Sequence, residues 1–98
     1  MEKVAQLLPL IRECIEVGHF FDTRHATDRQ GERAITRPEV LYVLRHGYHE
    51  KRKDKFVPRY QAWNYAVRGK TSDARELRII VSFGENNMLI ITAIDLHL

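Results

Sequence analysis

The chain has 98 residues, a formal net charge of +3, 44% hydrophobic residues and 30% charged residues, which is typical of one globular domain. Its single cysteine, Cys14, excludes an internal disulfide and a metal site built from several cysteines. No apolar run is long enough to span a membrane, and the N-terminus lacks the pattern of a secretory signal. We therefore expect one domain over residues 1–98, located in the cytoplasm.

The first predicted element is an amphipathic helix from Lys3 to about Val17, where apolar residues recur at helical spacing. Pro9 lacks an amide donor, so it is expected either to kink this helix or to mark its start. Gly18 is a natural helix stop. A short strand over residues 19–22 is predicted next.

The following segment places His25, Arg29 and Arg33 four residues apart each time. On a helix, residues at this spacing lie along one face, so the pattern predicts a row of one imidazole and two guanidiniums. Between Arg24 and Arg33 the only apolar residue is Ala26, whereas a surface helix ordinarily carries a broad apolar stripe. Such a helix is either solvated surface or a platform for anions.

A second amphipathic helix is marked by a capping box. Thr36 and Glu39 have the required spacing, Pro38 falls in the first turn where proline is tolerated, and Gly47 ends the helix. The residues predicted to be buried are Val40, Leu41, Val43 and Leu44.

The rest of the chain predicts strands. Residues 48–53 form a charged strand or arm at an edge of the sheet, and residues 62–67 alternate with the period of two that strands require. Residues 77–83 and 88–94 are apolar and are joined by a hairpin connection. Because short loops join successive strands, the sheet is predicted to be an antiparallel meander of about four strands. The predicted class is α+β, with the N-terminal helices packed on that sheet.

Cations cluster between residues 45 and 59, where six Lys/Arg stand against two acidic residues. This is expected of a phosphate-binding surface, and the alternative is a solvated edge that opposes strand-to-strand aggregation. The candidates for nucleic-acid binding in this run are Lys51, Arg52, Lys53 and Lys55.

The run from His25 to Val40, HATDRQGERAITRPEV, resembles the signature of an uncharacterised bacterial family, the domain of unknown function numbered forty-two fifty-eight. Its members combine HAxxRxxxRxI with a capped helix, a glycine and a meander that ends in an apolar strand with threonine. The matching residues here are His25-Ala26, Arg29, Arg33, Ile35, Thr36, Glu39-Val40, Gly47, Gly69 and Thr92. The family is similar to RelE- and BrnT-like toxins, which are small α+β ribonucleases, independent of metal and often paired with an antitoxin. The resemblance therefore implies a RelE-like (BECR-like) fold.

Cleavage of RNA without a metal needs proton transfer at the ribose 2′-hydroxyl and at the leaving oxygen, and cations on the phosphate. Histidine suits the proton transfers because it titrates near neutrality, and the planar fork of arginine suits the phosphate. His25, Arg29 and Arg33 are therefore the catalytic candidates. On the sheet, Arg68, Arg75 or Arg78 could face these residues, and Arg68 is the candidate for nucleic-acid binding. Tyr65 is a candidate for a hydroxyl or a base-stacking ring.

The same residues also permit a structural interpretation. His25 would then brace a helix by bonding a backbone carbonyl, and Arg29 and Arg33 would pair with nearby carboxylates. Exposed ion pairs of that kind contribute only about 0–1 kcal/mol. No metal or cofactor is expected, because the HxxH of His46 and His49 lacks a clear third ligand.

Two functions are consistent with these patterns. The first is a toxin-like, metal-independent endoribonuclease, with RNA and an antitoxin-like protein as partners. The alternative is a non-catalytic RNA- or protein-binding module on the same scaffold. A homo-oligomer is compatible with the leucine-rich first helix, and no membrane partner is expected.

Overall fold

The computed structural model describes residues 2–23, 26–28, 31, 34–85 and 87–97. The α-helices whose bounds lie within these ranges are α1 (Leu7–Val17) and α2 (Arg37–His46), and residues 26–28 and 31 are also helical. The strands are β1 (Phe20–Asp22), β2 (Tyr48–His49), β3 (Lys55–Val57), β4 (Ala62–Lys70), β5 (Glu76–Phe83) and β6 (Met88–Asp95). Two short 3-10 helices cover Lys51–Lys53 and Pro58–Tyr60. No helix in the described ranges is long and apolar enough to cross a membrane.

Helix α1 begins at Leu7, four residues later than the predicted start at Lys3. Pro9 therefore falls in the first turn, where its missing amide donor is not needed, and it does not kink the helix interior. The predicted stop is confirmed, because Gly18 adopts the left-handed conformation with φ of 78° and its backbone N–H donates to carbonyl groups of the last turn. The buried residues of α1 are Leu7, Ile11 and Ile15.

Helix α2 has the predicted capping box. The Thr36 side chain accepts from the backbone N–H of Glu39, and the Glu39 side chain accepts from the backbone N–H of Thr36. Two of the amides that a helix start leaves unpaired are thereby satisfied. The helix ends at His46, as expected from Gly47, and buries Val40, Val43 and Leu44.

The class is α+β, as predicted, but the sheet differs from a four-stranded antiparallel meander. It has six strands in the order β1-β6-β5-β4-β2, and β3 also pairs with β4. Strands β4, β5 and β6 form the expected meander, whereas β1 joins β6 in parallel. The predicted edge strand over residues 48–53 is shorter, because the chain turns into a 3-10 helix at Lys51.

The helices cover one face of the sheet. Alternate residues of the central strands, among them Tyr65, Val67 and Ile79, join the residues of α1 and α2 in one buried core. Because side chains of a strand alternate between its two faces, the residues between these point to the opposite face. We call this the second face. It carries Asn64 and Arg68 of β4 and Arg78 and Ser82 of β5.

Helix α2 and strand β4 meet closely at Gly47. A Cβ at this position would lie 2.6 Å from the carbonyl oxygens of Arg68 and Val43, and both are backbone atoms that move only with their strand or helix. The φ of Gly47 is −81°, a value that other residues also adopt, so the position requires glycine for its lack of volume. The close approach fixes the height of Arg68 relative to α2.

Substituting Gly47→Ala is expected to lower the free energy of unfolding by about 1–3 kcal/mol, because an added methyl group forces the backbones apart. Urea denaturation followed by circular dichroism measures the change. The matched control is Gly31→Ala, since no atom lies within 4 Å of a Cβ there. Equal effects of the two substitutions would contradict the packing argument.

Candidate nucleic-acid interface

Two arginines stand directly opposite each other on the second face. Arg68 of β4 and Arg78 of β5 are register partners in the antiparallel pair. Like charges in this arrangement repel and destabilise a sheet. The pair therefore needs a compensating anion, and the chain supplies one from β2.

Glu50, which follows β2, lies between the two guanidiniums. Arg78 Nε donates to Glu50 Oε1 at 2.6 Å, and Arg68 Nη1 donates to Glu50 Oε2 at 3.0 Å. The Glu50 side chain is only 4% exposed, while those of Arg68 and Arg78 are 24% and 16% exposed. The carboxylate is thus enclosed beneath two arginines that remain in partial contact with solvent.

These contacts stabilise the ionised form of Glu50. The hydrogen bond from Arg78 is the largest influence, and with that from Arg68 it outweighs burial and lowers the pKa of Glu50 from 4.5 to about 2. At neutral pH Glu50 is therefore an anion and a weak base. Its role in the cluster is to hold Arg68 and Arg78 side by side.

The arrangement extends along the face to Glu76 and His97. Arg68 Nη2 donates to Glu76 Oε1 at 2.9 Å, and His97 Nε2 lies 3.0 Å from the same oxygen. The hydrogen bond to Glu76 is the largest cause of the raised pKa of Arg68, and that from Arg68 lowers the pKa of Glu76. We call Glu50, Arg68, Glu76 and Arg78 the arginine cluster.

The predicted basic residues follow Glu50 at once in the chain. Lys51, Arg52 and Lys53 form a single 3-10 turn with exposed side chains, and we call it the basic turn. Arg52 Nη2 lies 3.6 Å from Glu50 Oε2, so the basic turn is attached to the arginine cluster. Lys55, at the start of β3, is also exposed.

Tyr65 lies in a different place from the basic residues. Its side chain is buried in the core beneath the helices, with 3% of the residue exposed, and its hydroxyl accepts from the backbone N–H of Val4 at 2.9 Å. A ring in this position packs against the core, so the structure does not bring Tyr65 to the surface that carries Arg68. The reason is the alternation of side chains along β4, in which Tyr65 and Val67 face the helices and Arg68 faces the other way.

Sequence reasoning missed a buried aspartate beside the basic turn. The Asp54 side chain is fully buried, accepts from the backbone N–H of Ala66 at 3.0 Å, and lies 2.7 Å from His49 Nε2 and 2.9 Å from Lys3 Nζ. These contacts join the N-terminal segment, β2 and β4. The charged pattern of residues 50–55 gave no signal that both of its carboxylates, those of Glu50 and Asp54, are buried.

Arg75, like Asp54, joins segments that are distant in the chain. Its guanidinium donates to Asp95 Oδ2 at 3.0 Å and to Glu39 Oε2 at 3.1 Å, so it links the capping box of α2 to the end of β6. These contacts direct the Arg75 guanidinium towards Glu39 and Asp95. Of the three sheet arginines considered from the sequence, the structure brings together Arg68 and Arg78.

The predicted catalytic residues His25, Arg29 and Arg33 lie outside the described residues. Within the described ranges, no group of three or more His, Cys, Asp or Glu side chains is placed to hold a metal ion.

Comparison with known families assigns the chain to one family. The model of the family described as "Domain of unknown function (DUF4258)" matches residues 23–95, a range that includes α2, the basic turn, the arginine cluster and the whole meander. The chain belongs to this family. Neither a curated protein nor a solved structure matches the chain.

The substitution Glu50→Gln is expected to destabilise the protein, because it removes the anion that lies between Arg68 and Arg78. Since both arginines are partly exposed, we expect a loss on the order of 2 kcal/mol at neutral pH, below the roughly 3–5 kcal/mol of a fully buried pair. The folded-state pKa of Glu50 is depressed, so its stabilisation is present above pH 4.5 and is lost as the pH falls towards 2. The difference between wild type and variant should therefore shrink over that interval.

Urea denaturation across this pH range measures the difference, with Glu85→Gln as the control, because Glu85 is exposed in the β5–β6 connection. A deficit that stays constant down to pH 2 would show that the ionised Glu50 carboxylate is not what holds the arginines.

Proposed function

We propose that this domain binds RNA through the arginine cluster and the basic turn, and that it is a toxin-like, metal-independent ribonuclease. The observation that supports RNA binding most is the opposed pair of Arg68 and Arg78. A sheet gains stability from apolar or oppositely charged partners at such positions, so a preorganised pair of guanidiniums is better explained by an anionic ligand than by folding.

The geometry of the pair suits a phosphate. A guanidinium has five N–H donors, and Glu50 restricts the orientation of both side chains. Arg68 donates to Glu50 and Glu76 through Nη1 and Nη2, and Arg78 donates to Glu50 through Nε and Nη2. A phosphate is therefore bound by the N–H groups that these ion pairs do not use, foremost those of Arg78 Nη1. The basic turn adds exposed cations beside the pair. Three arginines, Arg52, Arg68 and Arg78, contact Glu50, and Arg68 also contacts Glu76. Lys51, Lys53 and Lys55 are exposed on the segment that carries Arg52.

The proposed catalytic residues remain His25, Arg29 and Arg33, which match the family signature. Glu50 is unsuited to the role of general base because its pKa is about 2 and an effective base titrates closer to the working pH. In this proposal Glu50 is a positioning residue for the arginines, and a histidine carries out the proton transfers. A RelE-like fold, a cytoplasmic location, an antitoxin-like partner and a homo-oligomer belong to the same proposal.

A non-catalytic RNA-binding module is the second candidate. It is favoured by the ion pairs of Arg68 with Glu50 and Glu76, because a carboxylate on each side of a guanidinium reduces the charge available to stabilise a transition state. RNA binding is common to both candidates, and RNA cleavage distinguishes them.

Replacing Lys51 and Lys53 together by glutamine is expected to weaken binding of single-stranded RNA and to reduce its salt dependence. Removing one lysine–phosphate interaction lowers the slope of log K against log salt concentration by about 0.7, so the double substitution should lower it by about 1.4. Fluorescence anisotropy titrations over a series of salt concentrations measure the slope. Arg45→Gln is the control, because Arg45 is exposed at the end of α2. An unchanged slope in the double variant would remove the basic turn from the proposed interface.

Induced expression of the wild-type chain in a bacterial host is expected to arrest growth and fragment RNA, and His25→Ala is expected to relieve both. The reason is that the proposed proton transfers need an imidazole. Growth curves and total RNA on a gel give the result, and a thermal melt confirms that the variant is folded.

His46→Ala is the matched histidine control, since His46 ends α2 and packs against Tyr42 with 4.5 Å between ring centroids. Intact RNA and normal growth with the wild-type chain would refute the ribonuclease proposal and favour the binding module.

A further inference from the structure

A groove lies on the sheet beyond the arginine cluster. Its volume is about 440 Å³, and its lining includes Val57, Tyr60, Asn64, Ser82, Leu89 and Ile91. We call it the sheet groove. Pockets of this size, mostly apolar with a few polar groups, are the usual form of a small-ligand site.

We propose that the sheet groove binds an unpaired nucleobase of single-stranded RNA, with the ring of Tyr60 as the stacking surface. This inference rests on the proposed RNA binding and extends it from the phosphates to the bases. It names single-stranded RNA as the class of substrate, because a base in a duplex is not free to enter a groove of this kind.

Tyr60 has the exposure that stacking requires. It ends the 3-10 helix Pro58–Tyr60 and is 70% exposed, which makes its ring far more accessible than that of Tyr65. The guanidinium carbon of Arg59 lies 5.6 Å from the centroid of the Tyr60 ring. An aromatic ring beside a cation is the combination with which proteins hold single-stranded nucleic acid, through base stacking and attraction to the backbone.

Two polar side chains in the groove suit the edge of a base. The Ser82 hydroxyl donates to the backbone carbonyl of Trp63 at 2.9 Å, so its oxygen remains an acceptor. The Asn64 side-chain amide makes no hydrogen bond to any of the described residues, and an amide offers both donors and an acceptor. Leu89 and Ile91 supply apolar surface around these groups.

The groove and the arginine cluster share the second face. Asn64 precedes Arg68 by four residues on β4, and Ser82 follows Arg78 by four on β5. An even separation keeps side chains on the same face, and four residues span about 13 Å along a strand. A short single strand bound by its phosphate at the arginine pair therefore extends along the strands with a base at the groove.

The charge around the groove favours RNA over a protein as its occupant. The Arg59 guanidinium lies beside the Tyr60 ring that lines the groove, and Arg68 and Arg78 lie on the same face of the sheet as Asn64 and Ser82. An apolar peptide carries no anionic group that could pair with these cations. A nucleotide has both a flat apolar base and an anionic phosphate.

The test compares Tyr60→Ala with Tyr60→Phe in anisotropy titrations with short single-stranded RNA oligomers of uridine, cytidine, adenosine and guanosine, and with an RNA duplex. Tyr60→Ala is expected to weaken single-strand binding about tenfold or more, whereas Tyr60→Phe keeps the ring and the affinity. Because the phosphate contacts are intact, the salt slope of Tyr60→Ala should equal that of wild type. Duplex binding should be unaffected.

Asn64→Leu tests the polar part of the groove. Wild type is expected to bind the four oligomers with different affinities, and this variant is expected to reduce the differences, since leucine offers no hydrogen bonds to a base edge. Equal affinities in the wild type would show that the groove does not contact base edges.

The results separate failure of this inference from failure of the proposed function. If wild type binds RNA and Tyr60→Ala binds single strands as tightly as wild type does, the groove does not hold a base, and a protein or other occupant has to be sought. If wild type binds no RNA at all, both proposals are overturned. Thermal melts of each variant are expected to match wild type, because the exposed Tyr60 ring adds little to the core.

Discussion

The arrangement of the second face depends on the ion pairs that the buried carboxylate of Glu50 forms with Arg68 and Arg78. Arg68 and Arg78 are brought opposite each other by the register of β4 and β5, and without an anion between them their repulsion would oppose strand pairing. Glu50 comes from the end of β2, so the cluster also attaches the basic turn to the central strands. One ionised group therefore links strand pairing, the orientation of two guanidiniums and the position of the exposed lysines.

The two faces of the sheet differ in the kind of residues that they carry. The face beneath α1 and α2 holds the apolar core, into which Tyr65 is drawn by its register. The second face carries the arginine cluster at one end and the sheet groove at the other. Because α2 is fixed against β4 at Gly47, packing on the first face determines where Arg68 stands on the second.

Other ion pairs of the protein have a structural role. Asp54 accepts from the backbone of β4 and contacts Lys3 and His49, while Arg75 joins Glu39 to Asp95. These ion pairs hold segments that are distant in the chain, and in each the charges are satisfied within the protein. The arginine cluster differs from them because it places two like charges side by side, which is an arrangement that folding alone does not require.

The sequence by itself determined the local elements. The capping box at Thr36, the stop at Gly18 and the strand periodicities act over two to four residues, so they predicted α2, the end of α1, the meander and the α+β class. Only the tertiary structure decided that β1 pairs in parallel with β6, that Glu50 lies between Arg68 and Arg78, and that Asp54 is buried. Each of these joins residues far apart in the chain, and the strand register that brings them together is set by packing of the whole core.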